Sequence, residues 1–398
     1  MNSIQSSFSV NFSYNVHFTT GLFKKNNPLL SQVLNKDVNT GRKKIIFIVD
    51  GGVAACFPGL INAIIKYTKE YSENIHLVDE PFVIPGGEQI KNDTAWVDRI
   101  LEKINHNGIC RQSYIAVVGG GAVIDTVSFA AAIAHRGIRH IRIPTTVLSQ
   151  CDSGIGVKNS INYFNKKNFL GTFFPPYAVL NDFDFLTALP ERDWRSGIAE
   201  AIKVALLKDA DFFKFIKNNA FALSERNMPA MEQLIRTCAQ LHINHISDND
   251  PFETGSSRPL DFGHWSAHKL EQISNYSIRH GEAVAIGIAL DITYSYLMGL
   301  LPKYEWETIL QLISSLGFKT YLPQLLHCKE NEKQPTVLNG LDEFREHLGG
   351  ILTVMLLEKI GKGTEVNKMK KDIILDAINL LKLHCEENRD EKVNELIS

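Results

Sequence analysis

The sequence predicts an α/β plus all-α protein, and three observations carry that reading. Short apolar, β-branched runs alternate with helical stretches up to about Ala188. Two of those runs end directly in glycine pairs or triplets, DGG and GGG, as a buried parallel strand does when it turns into a helix. Beyond Leu189 the period becomes helical. The expected domains are therefore an α/β domain, 1–188, and a helical domain, 189–398.

In chain order, the alternation of Phe8, Val10, Phe12, Tyr14, Val16 and Phe18 predicts a strand with one apolar face. KKIIFIVDGG (Lys43 to Gly52) predicts a buried strand, followed by a helix around Leu60 to Tyr71 and a strand near His76 to Val83. A PGGE turn leads to a helix from about Lys91 to Asn105. Tyr114 to Asp125 predicts a strand running into the helix TVSFAAAIAHRG, and Arg139 to Thr146 and Tyr177 to Leu186 predict two more strands. Helices are expected at Arg195 to Leu207, Met228 to His245 and His280 to Leu297.

The 398 residues, 44% hydrophobic and 22% charged with a formal net charge of -2, can bury a large core. That charge balance argues against nucleic-acid binding. No apolar run is long enough to span a membrane, and the N-terminus lacks the pattern of a signal peptide. Six scattered cysteines without a CxxC pair read as reduced thiols in a cytoplasmic protein.

Three sets of residues carry chemistry. In VVGGGAVID, glycines between strand and helix let a pyrophosphate approach the backbone, although a tight strand-to-helix turn has the same pattern. Asp50 ends an earlier strand where a carboxylate could bind a ribose hydroxyl, and Glu88 and Lys91 fall on a loop at the same sheet edge. With no GxxxxGK[ST] present, NAD is the expected cofactor. In DFGHWSAHKLE, His264 and His268 lie about 40° apart on a helix. His280 opens the next helix, while Glu200 and Lys203 share a face of a third. A carboxylate with two imidazoles suits catalytic zinc, although HxxxH also occurs on ordinary solvated helices. Finally, QCDSGIGVKNSINYFNKKNFLG holds Asp152, Lys158, Asn162, Lys167 and Asn168. It reads either as a solvated polar loop or as a loop gripping a phosphorylated substrate.

The order of GGGAVID, AHRGIRHIRIPTT, QCDSGIGVKNSIN, KKNFLGTF, GIAEAIK, GHWSAH and RHGEAVAIG resembles the sugar phosphate cyclases, whose prototype is 3-dehydroquinate synthase. The resemblance runs from about Asp50 to Leu290 and more loosely to Gly361. It implies a Rossmann-like NAD domain, a helical metal domain, a homodimer, and a carbon–oxygen lyase that recycles its NAD. It places Zn2+ (or Co2+) on Glu200, His264 and His280, and phosphate and substrate contacts on Lys158, Asn168, Lys203 and His268 with Asp152 nearby. Arg136 matches an arginine that reaches a neighbouring subunit's site. Asp50, Glu88, Lys91, Gly120, Gly121, Asp125, Thr145 and Thr146 match NAD contacts.

Four departures bear on the substrate. Asp261 stands where the prototype has asparagine, and Ser257 where it has arginine, with Arg258 one place off. Ala239 replaces a lysine near Cys238, and His347 replaces a lysine pair. These resemble the 2-epi-5-epi-valiolone synthase branch, which cyclises sedoheptulose 7-phosphate, a substrate without a carboxylate. The expected function is that cyclisation with phosphate elimination, Asp261 and His347 reading substrate hydroxyls. The alternatives are a 3-dehydroquinate synthase acting on 3-deoxy-arabino-heptulosonate 7-phosphate, an NAD-dependent polyol dehydrogenase, and a non-catalytic scaffold retaining the fold.

Overall fold

The computed structural model describes residues 3–36, 41–164, 166–247, 251–252, 259–330, 334–347 and 350–397. Residues Met1–Thr145 and Gly156–Thr187 form one compact unit, and Thr146–Ile155 with Ala188–Ser398 a second.

The first unit is built on a parallel sheet of seven strands: β1 (Asn15–Thr19), β2 (Lys43–Asp50), β3 (Ile75–Leu77), β4 (Phe82–Ile84), β5 (Tyr114–Gly119), β6 (Arg139–Pro144) and, later in the chain, β9 (Ala178–Asp182). Their order is β1-β9-β6-β5-β2-β3, with β4 also on β2. Successive residues point to opposite faces, and both faces are buried. Ile45, Phe47 and Val49 join one core cluster with Leu60, Ile64 and Tyr67 of the helix Leu60–Glu70. Ile46 and Ile48 join another with Val97, Ile100 and Ile104 of the helix Ala95–His106 and Val123 and Val127 of the helix Gly121–Ile133. Burial on two faces explains why these strands read as continuous apolar runs.

Three sequence expectations are corrected here. The N-terminal strand is only Asn15–Thr19, with Phe8, Val10 and Phe12 exposed ahead of it. A strand extends only where a partner supplies hydrogen bonds, and β9 offers β1 five positions, from Ala178 opposite Asn15 to Asp182 opposite Thr19. The expected strand near His76 to Val83 is two short strands, β3 and β4. The polar stretch after Cys151 is not a loop: most of it forms the antiparallel hairpin β7 (Lys158–Tyr163) and β8 (Lys166–Phe173).

In the second unit, the helix His280–Leu297 is the hub, with every residue from Ala283 to Ser295 buried. The helices Glu191–Lys208, His264–Ile273, Lys303–Ser315 and Lys371–Ile397 pack around it. The unit is not all-helical. The antiparallel pair β10 (Val354–Lys359) and β11 (Lys362–Val366) packs on the same hub. No helix of the described residues is long and apolar enough to cross a membrane, and all six cysteines are free.

Candidate functional site

In the first unit, β4, β2, β5 and β6 end side by side, and their carboxyl ends carry the residues expected to meet a dinucleotide. Asp50 closes β2, and its Oδ1 accepts the N–H of Gly52 at 2.8 Å. Burial raises its carboxyl, opposed by the N–H groups of Gly52, Val53 and Gly120. The PGG turn crosses directly over it: a Cβ on Gly86 would lie 2.2 Å from Asp50 Oδ1, so a side chain there would displace the Asp50 carboxylate. Glu88 and Lys91 lie on the single turn Glu88–Asn92. Gly120 caps the helix that begins at Gly121 and carries Asp125, and the Thr145 N–H donates to the carbonyl of Gly119. Thr146 is grouped with the second unit, its hydroxyl 2.8 Å from that of Ser149.

Lys91 is buried, and its ammonium reaches Asp125 Oδ2 at 2.6 Å, Asn168 Oδ1 at 2.5 Å and Ser160 Oγ at 3.3 Å. Asn168 has φ 56°, a left-handed conformation for a non-glycine residue. Asn162 accepts the backbone N–H of Asn168 and donates to Asn92, so this side chain is committed to holding the hairpin. Arg142, fully buried on β6, donates to the carbonyls of Gly156 and Lys158 and anchors the start of β7. Burial pushes its guanidinium down to about 10, opposed by Asp125 and Tyr14. Lys158 is exposed, Lys167 half-buried, and Arg136 exposed in a left-handed turn.

In the second unit the sequence-expected ligands converge. Nε2 of His280 lies 3.4 Å and Nε2 of His264 3.7 Å from Glu200 Oε1. One atom from each residue falls within 4.8 Å of the others, a spacing that could hold a metal ion. The outer nitrogens are both held: His264 Nδ1 lies 3.0 Å from the carbonyl of Phe262, and His280 Nδ1 3.1 Å from Glu271 Oε2. Such partners keep the proton on Nδ1 and leave Nε2 to ligate. The ring of His268 stands 5.3 Å from that of His264 and 6.0 Å from that of His280. The group His268, Glu271 and His280 is also close enough for a metal, but its His280 Nδ1 faces Glu271 as a ring-orienting partner.

Glu200 is fully buried, and neither of its oxygens has an aligned hydrogen bond among the described residues. Burial would raise its carboxyl, yet the Lys203 ammonium, 2.5 Å from Oε2, and the His280 imidazole hold it well below the carboxylate range. Burial likewise disfavours charge on Lys203, but Glu200, Asp152 and Asp261 raise it and keep it protonated. Burial and then Lys203 push His264 well below the usual imidazole range, so it is a neutral donor. An anionic carboxylate with open lone pairs and two oriented imidazoles, that of His264 neutral, fit a divalent ion.

Arg258 lies outside the described residues, as does the side chain of His347, whose backbone ends the helix Asn339–His347. Sequence reasoning missed four groups. Glu271 orients His280, Arg142 anchors the hairpin, and His242 faces Asp152 at 3.3 Å. Asp291 accepts the Trp265 indole N–H at 2.8 Å and the Gly263 N–H at 2.9 Å, pinning the turn before His264. Of these four, only Glu271 had a local signal, standing three residues after His268 on the same helix.

Residues 81–196 match the N-terminal and residues 197–335 the C-terminal 3-dehydroquinate synthase family model. The chain is 39% identical over 253 residues to the 3-dehydroquinate synthase of Campylobacter fetus, covering 62% of this chain and 71% of that protein. It is 31% identical over 370 residues to that of Desulforamulus reducens, covering 93% and 97%. Among solved structures, a 2-epi-5-epi-valiolone synthase from Streptomyces hygroscopicus, with NAD+ and Zn2+ bound, superposes with a TM-score of 0.85 at 26% identity, covering 96% of this chain and 100% of that one. Fold and site thus define a sugar phosphate cyclase. The chain belongs to the 3-dehydroquinate synthase family.

Proposed function

We propose that this cyclase acts on a ketoheptose 7-phosphate lacking a carboxylate, sedoheptulose 7-phosphate being the substrate of choice, and eliminates phosphate to form a carbocycle of the 2-epi-5-epi-valiolone type. The observation that carries this reading is the surroundings of Lys203. Three carboxylates, Glu200, Asp152 and Asp261, raise its pKa, and Asp261 is the residue that stands where the prototype has a neutral asparagine. A substrate carboxylate brought toward that anionic group would meet repulsion, whereas a hydroxyl could donate to it.

A zinc or cobalt ion on Glu200, His264 and His280 would polarise a ring alcohol as a Lewis acid. NAD at the Asp50, Glu88, Lys91, Gly120, Gly121, Asp125, Thr145 and Thr146 edge would take up and return a hydride. The protonated Lys203 donates to the reacting oxygen. His268 and Lys158, with Asn168 and Lys167, hold the phosphate that departs. Asp261, with Arg258 and His347, selects the hydroxyl pattern.

We also propose a homodimer. Phe164, Phe169 and Phe173 of the hairpin are exposed by 73%, 48% and 43%, a concentration of apolar surface that supports an interface. Arg136 would then reach the neighbouring copy's substrate.

The test is phosphate release by zinc-loaded, NAD-supplemented protein offered the two sugar phosphates separately. Release from sedoheptulose 7-phosphate alone supports the proposal. Release from 3-deoxy-arabino-heptulosonate 7-phosphate alone makes this chain a divergent 3-dehydroquinate synthase, the name its sequence relatives carry. NADH accumulating with a plain polyol would instead mark a dehydrogenase.

A further inference from the structure

The helix His280–Leu297 begins with a ligand of the proposed metal group, and the first N–H groups of any helix have no partner within it. Arg279, which precedes it, cannot cap them, because a guanidinium has donors and no acceptor. Glu282 is turned back onto the N–H of Arg279, which it accepts at 2.9 Å. The Gly281 N–H is met from outside the helix: it donates to Ser196 Oγ at 3.1 Å. Ser196 lies in the helix Glu191–Lys208 and is 6% exposed.

At this point the two helices touch backbone to backbone. A Cβ on Gly281 would fall 2.1 Å from the Ser196 carbonyl oxygen and 2.6 Å from its Cα, an approach that glycine allows. Ser196 precedes Glu200 by four residues, so the two share a face of their helix, one turn apart. The contact is therefore one residue from His280 and one turn from Glu200, whose Oε1 is 3.4 Å from His280 Nε2. Glu271 aims the imidazole through Nδ1 at 3.1 Å, but that bond does not fix the backbone from which the ring projects. We infer that Ser196 is a positioning residue of the metal centre. Its hydroxyl caps the first turn of the helix His280–Leu297 from the neighbouring helix and sets the spacing between His280 and Glu200. The inference rests on the reading of Glu200, His264 and His280 as metal ligands.

The test compares the full wild-type chain with Ser196→Ala, Ser196→Thr and Ser295→Ala. Ser295 is the matched control. It too is buried and accepts a backbone N–H, that of Leu357 at 3.2 Å, about four turns further along the helix His280–Leu297. Zinc affinity is measured by chelator competition, and the visible spectrum of each cobalt-loaded protein reports the coordination geometry. Both are properties of the folded fraction, so a lowered Tm does not mask them. Ser196→Ala is expected to lose about 10- to 100-fold in zinc affinity and to alter the cobalt spectrum. Ser295→Ala should keep both at the wild-type level, and Ser196→Thr, which retains the hydroxyl, should recover most of the affinity. Wild-type affinity and spectrum in Ser196→Ala overturn the inference. So does an equal loss in Ser295→Ala, which would mark a general loosening of the helix. An equal loss in Ser196→Thr also overturns it, by making packing at this contact, and not the hydroxyl, the cause. A wild type that binds neither ion at one per chain removes the metal reading itself, and this inference with it.

Discussion

Two buried lysines, Lys91 in the first unit and Lys203 in the second, are each 3% exposed along the side chain and are satisfied in opposite ways. Lys91 has three donors and three matching acceptors: one carboxylate, one amide and one hydroxyl. Its charge is cancelled once, by Asp125, and its three hydrogen bonds tie the hairpin to the helix Gly121–Ile133. Lys203 has carboxylates on several sides and a nearest neighbour, Glu200, whose oxygens lack aligned donors. The first arrangement is closed and positions backbone. The second carries more negative than positive charge and keeps lone pairs open, which is where a cation and a reacting oxygen find room. Burial depth does not separate these two lysines; the balance of charge around each does.

Breaking the open cluster should have the largest effect. His264→Ala removes an oriented Nε2 from a three-residue group, and loss of all stoichiometric zinc, read by metal analysis after dialysis, is expected along with loss of phosphate release. Retained zinc and activity would refute the ligand assignment.

Asp291 tests the support beneath it. Burial pushes its carboxyl up to about 7, against the opposing Trp265 and Gly263 N–H bonds. A carboxyl whose folded pKa exceeds the unfolded value of 3.8 binds more protons folded than unfolded between those limits. Its contribution is therefore best below about pH 4 and worsens as pH rises to about 7, by at most about 4 kcal/mol. Denaturant unfolding at pH 5 and pH 8 should show a smaller decline in Asp291→Asn than in the wild type. Parallel declines would show that Asp291 does not titrate in this window.

In the closed cluster, Lys91→Met leaves Asp125 without its nearest cation and should destabilise the first unit by about 3 kcal/mol. Zinc content should not change, so a zinc-poor Lys91→Met protein would break the contrast drawn between the lysines. Glu271→Gln is the finest probe. It should weaken zinc binding by about 10- to 100-fold through a poorly held His280, while His280 itself remains. A competition titration giving wild-type affinity would reduce Glu271 to a packing residue.

What could be read in the sequence follows from where each signal is stored. The expected ligands His264 and His280, with His268 between them, lie within one short stretch, and Glu200 and Lys203 share a helical turn, so local spacing exposes them. The parallel sheet was legible because strands buried on both faces must be apolar throughout. Phe8 to Phe12 alternate as a strand does, yet strand length is set by β9, far along the chain. The hairpin β7–β8 was hidden because its strands are largely polar and several of its apolar groups face outward. His242 and Asp291 give no local pattern at all. Each is defined by a partner on another element, Asp152 for one and the Gly263–Trp265 turn for the other.

The turn before His264 has a consequence for how such a protein can diversify. Gly263 has φ +74°, and a Cβ there would fall 2.7 Å from the backbone nitrogen of Ile288. A Cβ on Gly287 would fall 2.0 Å from the Gly263 carbonyl. The segment carrying one proposed ligand is thus locked, backbone to backbone, onto the helix that begins with another. Selection for a new substrate cannot slide these two segments apart by small steps without disrupting the proposed metal site. It is left to work on the side chains around the lock, and Asp261, two residues before it, is a position where a single exchange alters charge while the ligand backbone stays where it was.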